Sequence, residues 1–370
     1  MRIGIDCRLW NESGVGRYTR NLVLNLVKID RKNTYTLFVL SKDREEILKQ
    51  VQNDKFQIVK ADIRWHTLRE QIKFPSILNK ENLDLVHFPY FSIPIFYNKP
   101  FVITIHDLII NHFPTGKAST LPLPFYGLKI LGYKYIIRKA AKNARKIITV
   151  SNATKEEIID HLGVDRDKVV VTYEGVDTRI SNFKFKISNL KKPYFLSVGN
   201  AYPHKNIERL IDAFSGLRQN DTKLILVGKE NFFYKRLKEK VAKMKLEKNI
   251  LFFGEATDEE LSQLYKNALA LVMPSLMEGF GLPALEAMEN RCLVLASDIP
   301  SLKETCGDAA IYFDPYNIKD IARKMEDVYL NNIYYLSEKI KKGFARTKLF
   351  SWEKMAKETL NVYNEVLSKS

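Results

Sequence analysis

Short apolar runs alternate with helix-like stretches along almost the whole chain, and this alternation limits the fold more than any other feature. The runs are rich in β-branched residues and continuously apolar, which is typical of parallel strands buried on both faces. We predict strands in two series, Arg2–Asp6, Tyr35–Leu40, Leu85–Phe88, Phe101–Ile105, Lys146–Val150 and Val169–Tyr173, then Tyr194–Val198, Lys223–Val227, Ile250–Phe253, Ala270–Met273 and Cys292–Ala296. Two such series predict an α/β protein with two doubly wound parallel-sheet domains.

The domain limits follow from a break in this pattern. The 370 residues exceed the usual size of one domain, and Ser181–Pro193 is polar, basic and without periodicity. We place an N-terminal domain at 1–185, a second domain at 190–348 and a C-terminal helix at 351–370. Ser351 is suited to cap that helix, which we expect to pack back on the N-terminal domain through the face Trp352, Met355, Thr359, Tyr363 and Val366.

Several classes of protein are disfavoured by composition. No run approaches the roughly 18 apolar residues of a membrane span, and the start MRIGIDCRLW lacks the apolar run of a signal peptide. Cys7, Cys292 and Cys306 are odd in number and widely spaced, so a disulfide framework or a zinc site is not expected. We expect a cytoplasmic protein.

The net charge of +16 is unevenly distributed. Between Phe113 and Lys155 there is no acidic residue, and the basic ones are Lys117, Lys129, Lys134, Arg138, Lys139, Lys142, Arg145, Lys146 and Lys155. Apolar residues are interspersed among these charges, as in a helix that lies on an anionic membrane surface. A solvated helix face explains the run equally well, and both interpretations stay open.

The segment PSLMEGFGLPALEAMEN, residues 274–290, is the most informative part of the chain. It follows a predicted strand, passes Gly279 and Gly281, and enters a helix with Pro283 suited to its first position. The free N–H groups of a helix start favour a diphosphate or a polar sugar. Glu278 and Glu286 are placed to face one pocket and to accept hydrogen bonds from hydroxyl groups. On spacing alone, an ordinary helix start is equally compatible.

The two glutamates within EGFGLPALE, with seven residues between them, resemble the signature of family-4 glycosyltransferases. SGVGRYTRNL, ITIHDL, ITVSNATKEEI, YEGVD, GNAYPHKNIERLIDAF, FFGEATDEELSQLY and SDIPSLKETCGDAAIYFDP also match landmarks of that family in the expected order. The resemblance covers nearly the whole chain. It implies the GT-B fold, in which two Rossmann-like domains face each other across a cleft. It also implies retaining, metal-independent transfer of a hexose from a nucleotide sugar.

The resemblance assigns the donor site. It implies that Glu286 holds the donor ribose, that Glu278 addresses the transferred sugar, and that Lys205 in PHKN grips the diphosphate. A fixed cation would stabilise the charge that develops on the departing phosphate. The remaining donor-binding positions are Gly16, Gly199, Asn200, Gly254, Gly279, Phe280, Gly281 and Leu282. Asn200 stands where the family often has arginine, so Lys205 is expected to act with help from Lys229 or His204.

In the N-terminal domain, the resemblance places the SGVGRY loop beside the donor phosphates and the acceptor. Gly14 and Asp107 are then on the acceptor side, and His106 lies near the transferred sugar as a catalytic residue together with Glu278 and Lys205. Taken alone, the glycines would indicate only a turn, and a histidine after a strand is more often structural.

One segment departs from the family pattern, and another resembles a motif of a different family. The family usually has glycine and proline where this chain has Arg291 and Leu293. If position 291 needs a positive φ, arginine costs about 1 kcal/mol there, and we expect a local change. Asp165-Arg166-Asp167 spells a metal-binding motif of a different glycosyltransferase fold, but we interpret it as a turn. No metal or other cofactor is expected.

The substrates are inferred from the resemblance to bacterial mannosyl- and rhamnosyltransferases of surface polysaccharide assembly. GDP-mannose is the first choice of donor, before UDP- or dTDP-sugars, and the acceptor is a glycan or a polyprenyl-diphosphate-linked glycan. We expect a peripheral protein on the inner face of the cell membrane that binds no nucleic acid. A GT-B sugar epimerase or phosphorylase is the alternative, and a basic nucleic-acid-binding protein is a more distant one.

Overall fold

The computed structural model describes residues 1–113, 123–176, 193–217, 221–330 and 333–368. The described residues form two compact units. The first unit comprises those of 1–174 together with those of 351–370, and the second comprises those of 175–350. Except for Pro193, the stretch Ser181–Pro193 lies outside the described residues.

The first unit contains a seven-stranded parallel sheet. Its strands are β1 (Arg2–Asp6), β2 (Thr34–Val39), β3 (Phe56–Lys60), β4 (Leu85–Phe88), β5 (Phe101–Ile105), β6 (Lys146–Thr149) and β7 (Val169–Val171). They lie in the order β3-β2-β1-β4-β5-β6-β7, so that the winding direction reverses between β1 and β4. Ile3 pairs with Tyr35 on one side and with Leu85 on the other. A doubly wound sheet binds ligands beyond the carboxyl ends of its strands at this reversal.

Helices connect the strands of the first unit. They are α1 (Ser13–Ile29), α2 (Arg44–Gln50), α3 (Leu68–Lys80), α4 (Ile109–His112), α5 (Leu123–Asn143) and α6 (Asn152–Leu162). Local sequence sets the limits of α6, because the Ser151 side chain accepts a hydrogen bond from the Thr154 amide and Gly163 ends the helix in the left-handed conformation. Apolar side chains of α3, α5 and α6 share one buried cluster with the strands.

The second unit repeats the plan with six parallel strands. These are β8 (Tyr194–Val198), β9 (Lys223–Val227), β10 (Ile250–Gly254), β11 (Ala270–Met273), β12 (Val294–Ser297) and β13 (Ile311–Phe313). Their order is β10-β9-β8-β11-β12-β13, with the reversal between β8 and β11. The helices are α7 (Ile207–Ser215), α8 (Phe232–Lys243), α9 (Asp258–Asn267), α10 (Leu282–Glu289), α11 (Pro300–Cys306), α12 (Ile318–Leu330) and α13 (Ile333–Thr347). The two sheets confirm the predicted fold class.

The last helix, α14 (Trp352–Ser368), belongs to the first unit and packs against α1. Ser351 accepts a hydrogen bond from the Lys354 amide, as its capping role predicts. All five residues of the predicted apolar face are buried. Tyr363 also bonds through its hydroxyl group to Nδ1 of His87 on β4, at 2.6 Å.

The turn at Arg291 has the conformation that its family position implies. Arg291 has φ of +56°, in the left-handed region that disfavours side chains. Its guanidinium carbon lies 4.4 Å from the centre of the Phe344 ring on α13. A cation–π contact of this kind contributes about 0.5–1 kcal/mol, which offsets much of the backbone strain.

In the described part of the chain, no helix is long and apolar enough to cross a membrane.

Candidate active site

The reversal in the second sheet brings together two loops that the sequence separates by about seventy residues. One loop leaves β8 at Gly199 and contains Lys205, and the other leaves β11 at Pro274 and contains Glu278. The amide of Leu276 donates a 2.7 Å hydrogen bond to the carbonyl oxygen of His204, which joins the loops directly. Lys205 and Glu278, two of the three residues assigned to catalysis, therefore lie at the usual ligand-binding edge of this fold.

Lys205 and Glu278 form a close ion pair. The Lys205 ammonium donates to both carboxylate oxygens of Glu278, at 2.7 and 2.8 Å. Their side chains are only 19% and 8% exposed. Burial alone would raise the pKa of Glu278, but the Lys205 charge and the hydrogen bonds from Lys205 and Ser275 lower it below its usual value. The sequence indicated both residues but not that each is the partner of the other.

Two residues that we did not predict hold this pair in place. Ser275 donates a 2.7 Å hydrogen bond to Oε1 of Glu278. Asn206, directly after the lysine, has φ of +59° and is buried. Its side-chain amide donates to the carbonyl oxygens of Pro274 and Pro315, at 2.9 and 2.8 Å. Asparagine adopts the left-handed conformation more readily than most residues. An asparagine directly after Lys205 was therefore the sequence signal that could have indicated this turn.

The two groups considered as helpers of Lys205 differ in character. Burial, and then the Lys205 charge, lowers the pKa of His204 to about 4, so that its ring is neutral at neutral pH and adds no second cation. Lys229 is 78% exposed and lies 3.8 Å from Glu255. Asn200 uses its side-chain oxygen to accept a hydrogen bond from the Tyr202 amide. Of the groups considered at this edge of the sheet, Lys205 is therefore the cation that is mostly shielded from solvent.

The EGFG turn is built as a helix start. Gly281 has φ of +104°, and a Cβ atom there would lie 2.6 Å from Cδ2 of Leu302, so this position requires glycine. Helix α10 begins at Leu282, with Pro283 one position later than predicted. The carbonyl oxygen of Phe280 accepts a 2.6 Å hydrogen bond from Thr305. These contacts fix the turn that contains Gly279. Because Pro283 has no amide hydrogen and the Ala284 amide donates to the Gly281 carbonyl oxygen, the first amide of the helix is that of Leu282.

Two other predicted glycines lie at the ends of β8 and β10 and have left-handed conformations. Gly199 has φ of +137° and Gly254 has φ of +88°, and a Cβ atom at either would meet open space. Gly228, which we did not predict, is more constrained, because a Cβ atom there would lie 2.0 Å from the Gly199 carbonyl oxygen. The backbones of the loops that follow β8, β9 and β10 are therefore closely packed at the carboxyl ends of these strands.

Glu286 is the fifth of the eight residues of α10 and is buried. The hydroxyl group of Tyr265, on α9, donates a 3.0 Å hydrogen bond to its Oε2 atom. Tyr265 was not predicted, since its position in the periodicity of α9 marks it only as a core residue. Glu278 and Glu286 thus have different partners.

In the first unit, the glycines of SGVGRY do not form a loop as expected. They lie in the first turn of α1, which begins at Ser13. Gly14 borders open space, whereas a Cβ atom on Gly16 would lie 2.4 Å from the Trp10 carbonyl oxygen. The need for glycine at position 16 is therefore explained by close packing of the chain that follows β1.

His106 and Asp107 follow β5, as predicted, and both contact protein groups. Nε2 of His106 lies 3.0 Å from the Pro89 carbonyl oxygen, and Nδ1 lies 3.6 Å from Oε1 of Glu174. Asp107 accepts a 3.0 Å hydrogen bond from the Ile109 amide at the start of α4. Glu174 is a buried carboxylate that our sequence analysis missed, although YEGVD was recognised as a landmark.

The described residues contain no group of three or more His, Cys, Asp or Glu side chains arranged to hold a metal ion. Asp165 precedes a single 3₁₀ turn, Arg166–Lys168, before β7. Arg166 forms a two-point ion pair with Glu156, with both distances 2.6 Å. The segment is therefore a turn, as we interpreted it.

Comparison with known proteins defines the class first. Glycosyltransferase Family 4 matches residues 13–180, and Glycosyl transferases group 1 matches residues 179–344. HepE of Anabaena, solved in complex with UDP-glucose, aligns over 99% of this chain and 100% of its own with a TM-score of 0.77 and 16% identity. That likeness shows a shared GT-B fold. The chain belongs to the group 1 glycosyltransferases of this fold.

Two curated relatives are also similar. The O-antigen chain mannosyltransferase RfbU of Salmonella typhimurium is 31% identical over 251 residues, which cover 68% of this chain and 65% of that protein. The O-antigen chain mannosyltransferase B of Escherichia coli is 29% identical over 290 residues, which cover 75% and 74%. The chain thus spans slightly less than two thirds of the first relative and about three quarters of the second.

Proposed function

We propose that this protein is a retaining, metal-independent glycosyltransferase that moves mannose from GDP-mannose to a glycan or a polyprenyl-diphosphate-linked glycan. The observation that carries the proposal is the buried pair of Lys205 and Glu278 beside the start of α10. It combines a fixed cation, suited to a diphosphate, with a carboxylate suited to sugar hydroxyls. Mannose is favoured because both curated relatives carry that sugar in their names.

The proposed reaction balances without a metal ion. The bond between the sugar C1 atom and the donor phosphate breaks, and the acceptor oxygen bonds to C1 on the same face. The acceptor proton passes to an oxygen of the departing phosphate. Lys205 and the Leu282 amide at the start of α10 would stabilise the negative charge that grows on this leaving group. Glu278 would orient the sugar, and Glu286 would bind the ribose hydroxyls.

A nucleotide screen tests the donor. We expect GDP to raise the melting temperature more than UDP, dTDP or ADP, with and without EDTA. A ligand at about 100 times its Kd adds about 2.7 kcal/mol to the free energy of unfolding. Transfer of radiolabelled mannose from GDP-mannose should then persist in EDTA. Stabilisation by no nucleotide would contradict the assigned donor site, and activity that EDTA abolishes and manganese restores would contradict the metal-free mechanism.

Peripheral attachment to an anionic membrane is the second part of the proposal, and α5 supports it. A shallow groove of about 580 Å³, here the α5 groove, is lined by Leu131, Lys134, Tyr135, Arg138, Lys139, Lys142 and Asn143. Lys129 does not line it, since five residues of helix turn it about 140° from Lys134. Burial of the His66 ring lowers its pKa, and the charge of Lys129 lowers it further. We expected a basic, membrane-facing side formed by five residues, and four of them line the groove: of Lys129, Lys134, Arg138, Lys139 and Lys142, only Lys129 does not.

Exposed apolar side chains adjoin these charges. Lys139 Nζ lies 6.0 Å from the ring centres of both Tyr135 and Phe96, and these rings are mostly exposed. Phe96 follows Ile95, whose amide donates a hydrogen bond to Gln71 of α3. The next residue of α3, Ile72, is 69% exposed, and Leu68 one turn earlier is 82% exposed. Apolar groups flanked by lysines suit the interface of an anionic bilayer.

Replacing Lys134, Arg138, Lys139 and Lys142 by glutamine is expected to release the protein from anionic liposomes. Each basic residue near such a surface contributes about 1 kcal/mol, so four together change the partition about a thousandfold. High salt should weaken binding of the parent in the same direction. Sedimentation with phosphatidylglycerol vesicles measures the effect.

The matched control replaces Lys32, Lys42, Arg44 and Lys49, four exposed basic residues elsewhere on the first unit. It removes the same charge and should still sediment. If the α5 variant sediments as well as the parent, its basic face is only a solvated surface, and the membrane proposal is wrong while the enzymatic one stands.

A further inference from the structure

The surroundings of His106 limit what its ring can do. The Pro89 carbonyl oxygen can only accept, so the ring nitrogen 3.0 Å from it, Nε2, carries a hydrogen and donates it. The other nitrogen, Nδ1, lies 3.6 Å from Oε1 of Glu174, within ion-pair distance. The ring of Tyr18 meets the imidazole edge-on, with centres 4.9 Å apart. Both nitrogens therefore face oxygen atoms of the protein.

Glu174 in turn needs a positive partner. Its side chain is 6% exposed, and His106 is the group within ion-pair distance of it in the described structure. A buried carboxylate without a counter-charge is costly, whereas one paired with a cation is tolerated. The contact is longer than a hydrogen bond, as is common at catalytic groups in unliganded proteins. An imidazolium with a proton on Nδ1 satisfies the carboxylate.

Two titratable rings near His106, those of Tyr18 and His87, are neutral at neutral pH. Burial raises the pKa of Tyr18, on α1, to about 12. Burial, and then the charge of His106, lowers the pKa of His87, on β4, to about 3. Asp107, the next residue, directs Oδ1 to the Ile109 amide. Among the described residues, Glu174 is thus the carboxylate within ion-pair distance of the ring.

We propose that Glu174 is a positioning residue that keeps His106 as an imidazolium, with Nε2–H bonded to Pro89 and Nδ1–H directed at the Glu174 carboxylate. The ring then has no lone pair available, so His106 is not the base that removes the acceptor proton. The kinetic consequence of this inference rests on the proposed function: the departing phosphate, and not His106, is then the base that takes the acceptor proton. The fixed positive charge would favour transfer as negative charge develops on the leaving group.

Nuclear magnetic resonance of histidine ring nitrogens tests the protonation without any substrate. In the parent protein at pH 7, both nitrogens of His106 should carry hydrogen. In Glu174→Gln the ring should become the neutral Nε2–H form. The matched control is Glu157→Gln, which alters another glutamate 3.8 Å from a histidine, His112, and should leave the His106 signals unchanged. A neutral His106 in the parent would overturn the proposal even if the protein transfers no sugar.

Kinetics distinguish a positioning role from that of a base. Glu174→Gln should lower kcat at least tenfold with little change in donor KM, and the alkaline limb of the kcat profile should move to lower pH. If His106 were a base, the same change would raise or preserve kcat at neutral pH, because more of the ring would be neutral. Glu174→Asp, which keeps the charge, should retain more activity than Glu174→Gln. Equal loss in both variants would show that Glu174 is only structural.

Discussion

Replacing Lys205 by methionine is expected to lower kcat/KM for sugar transfer about a hundredfold to a thousandfold. Methionine keeps much of the length of the side chain and removes the cation that would stabilise the departing diphosphate. Removal of one preorganised electrostatic group from an active site costs rate on this scale. Steady-state kinetics with the donor identified by the nucleotide screen provide the measurement. Lys243→Met, at an exposed lysine of α8 in the same unit, is the control and should retain parental rates.

The same change should destabilise the protein, because it leaves the buried Glu278 carboxylate without its cation. Breaking a buried pair in this way costs about 3 kcal/mol. The double variant Lys205→Met with Glu278→Gln removes both charges and should recover most of the stability but none of the activity. If stability and activity recover together, the kinetic loss reflects misfolding and not a missing cation.

The acid dependence of stability has a defined sign. The pKa of Glu278 is lowered in the folded protein, so the stabilisation is present above the ordinary pKa of glutamate and is lost as pH falls through the lowered value. Without Lys205 this source of acid sensitivity disappears. Chemical denaturation at several pH values below 5 should therefore show the parent and the Lys205→Met variant converging.

Replacing Glu286 by glutamine should weaken nucleotide binding by about tenfold to a hundredfold. A charged acceptor contributes about 1.5–3 kcal/mol to a hydrogen bond, and the Glu286 side chain is buried on α10 with Tyr265 as a donor. Calorimetric titration with the nucleoside diphosphate measures the change. Tyr265→Phe should have a smaller effect, since it removes a neutral donor.

Glu289→Gln supplies the matched control for Glu286. It lies one turn later on the same helix and accepts a 2.7 Å hydrogen bond from Thr347. Nucleotide affinity should be unchanged in this variant. Parental affinity in Glu286→Gln would remove Glu286 from the donor site and leave the fold assignment untouched.

The sequence was sufficient for the two sheets because their central strands are short, continuously apolar and β-branched. The strands that escaped prediction, β3 and β13, are both at sheet edges. Phe56–Lys60 is only half buried and mixes polar with apolar positions, and Ile311–Phe313 has three residues. β7 and β10 are edge strands too, but their continuously apolar runs were detected. The mixed pattern of β3 and the shortness of β13, and not the edge position alone, therefore hid these two strands.

The site was predictable by residue type but not by partner. Lys205 and Glu278 were indicated separately, because charge and family position can be read from a sequence, whereas the order of β8 and β11 cannot. Asn206 and Ser275 act through hydrogen bonds to the opposite loop, and no local pattern marks such bonds. At Arg291 the positive φ followed from the family's glycine, but the compensating contact with Phe344 depends on the packing of α13.

The position of α14 has a consequence for biosynthesis. Trp352, Met355 and Tyr363 fill the core of the unit that begins at Met1, and Tyr363 completes the hydrogen bonds of His87 in its sheet. A ribosome releases these residues only after the whole second unit has been made. The second unit can therefore close its core during synthesis, whereas the unit made first must remain unfinished until α14 has been made. A truncated chain that stops at Phe350 would retain an apolar gap along α1, and chaperones would recognise it as incomplete.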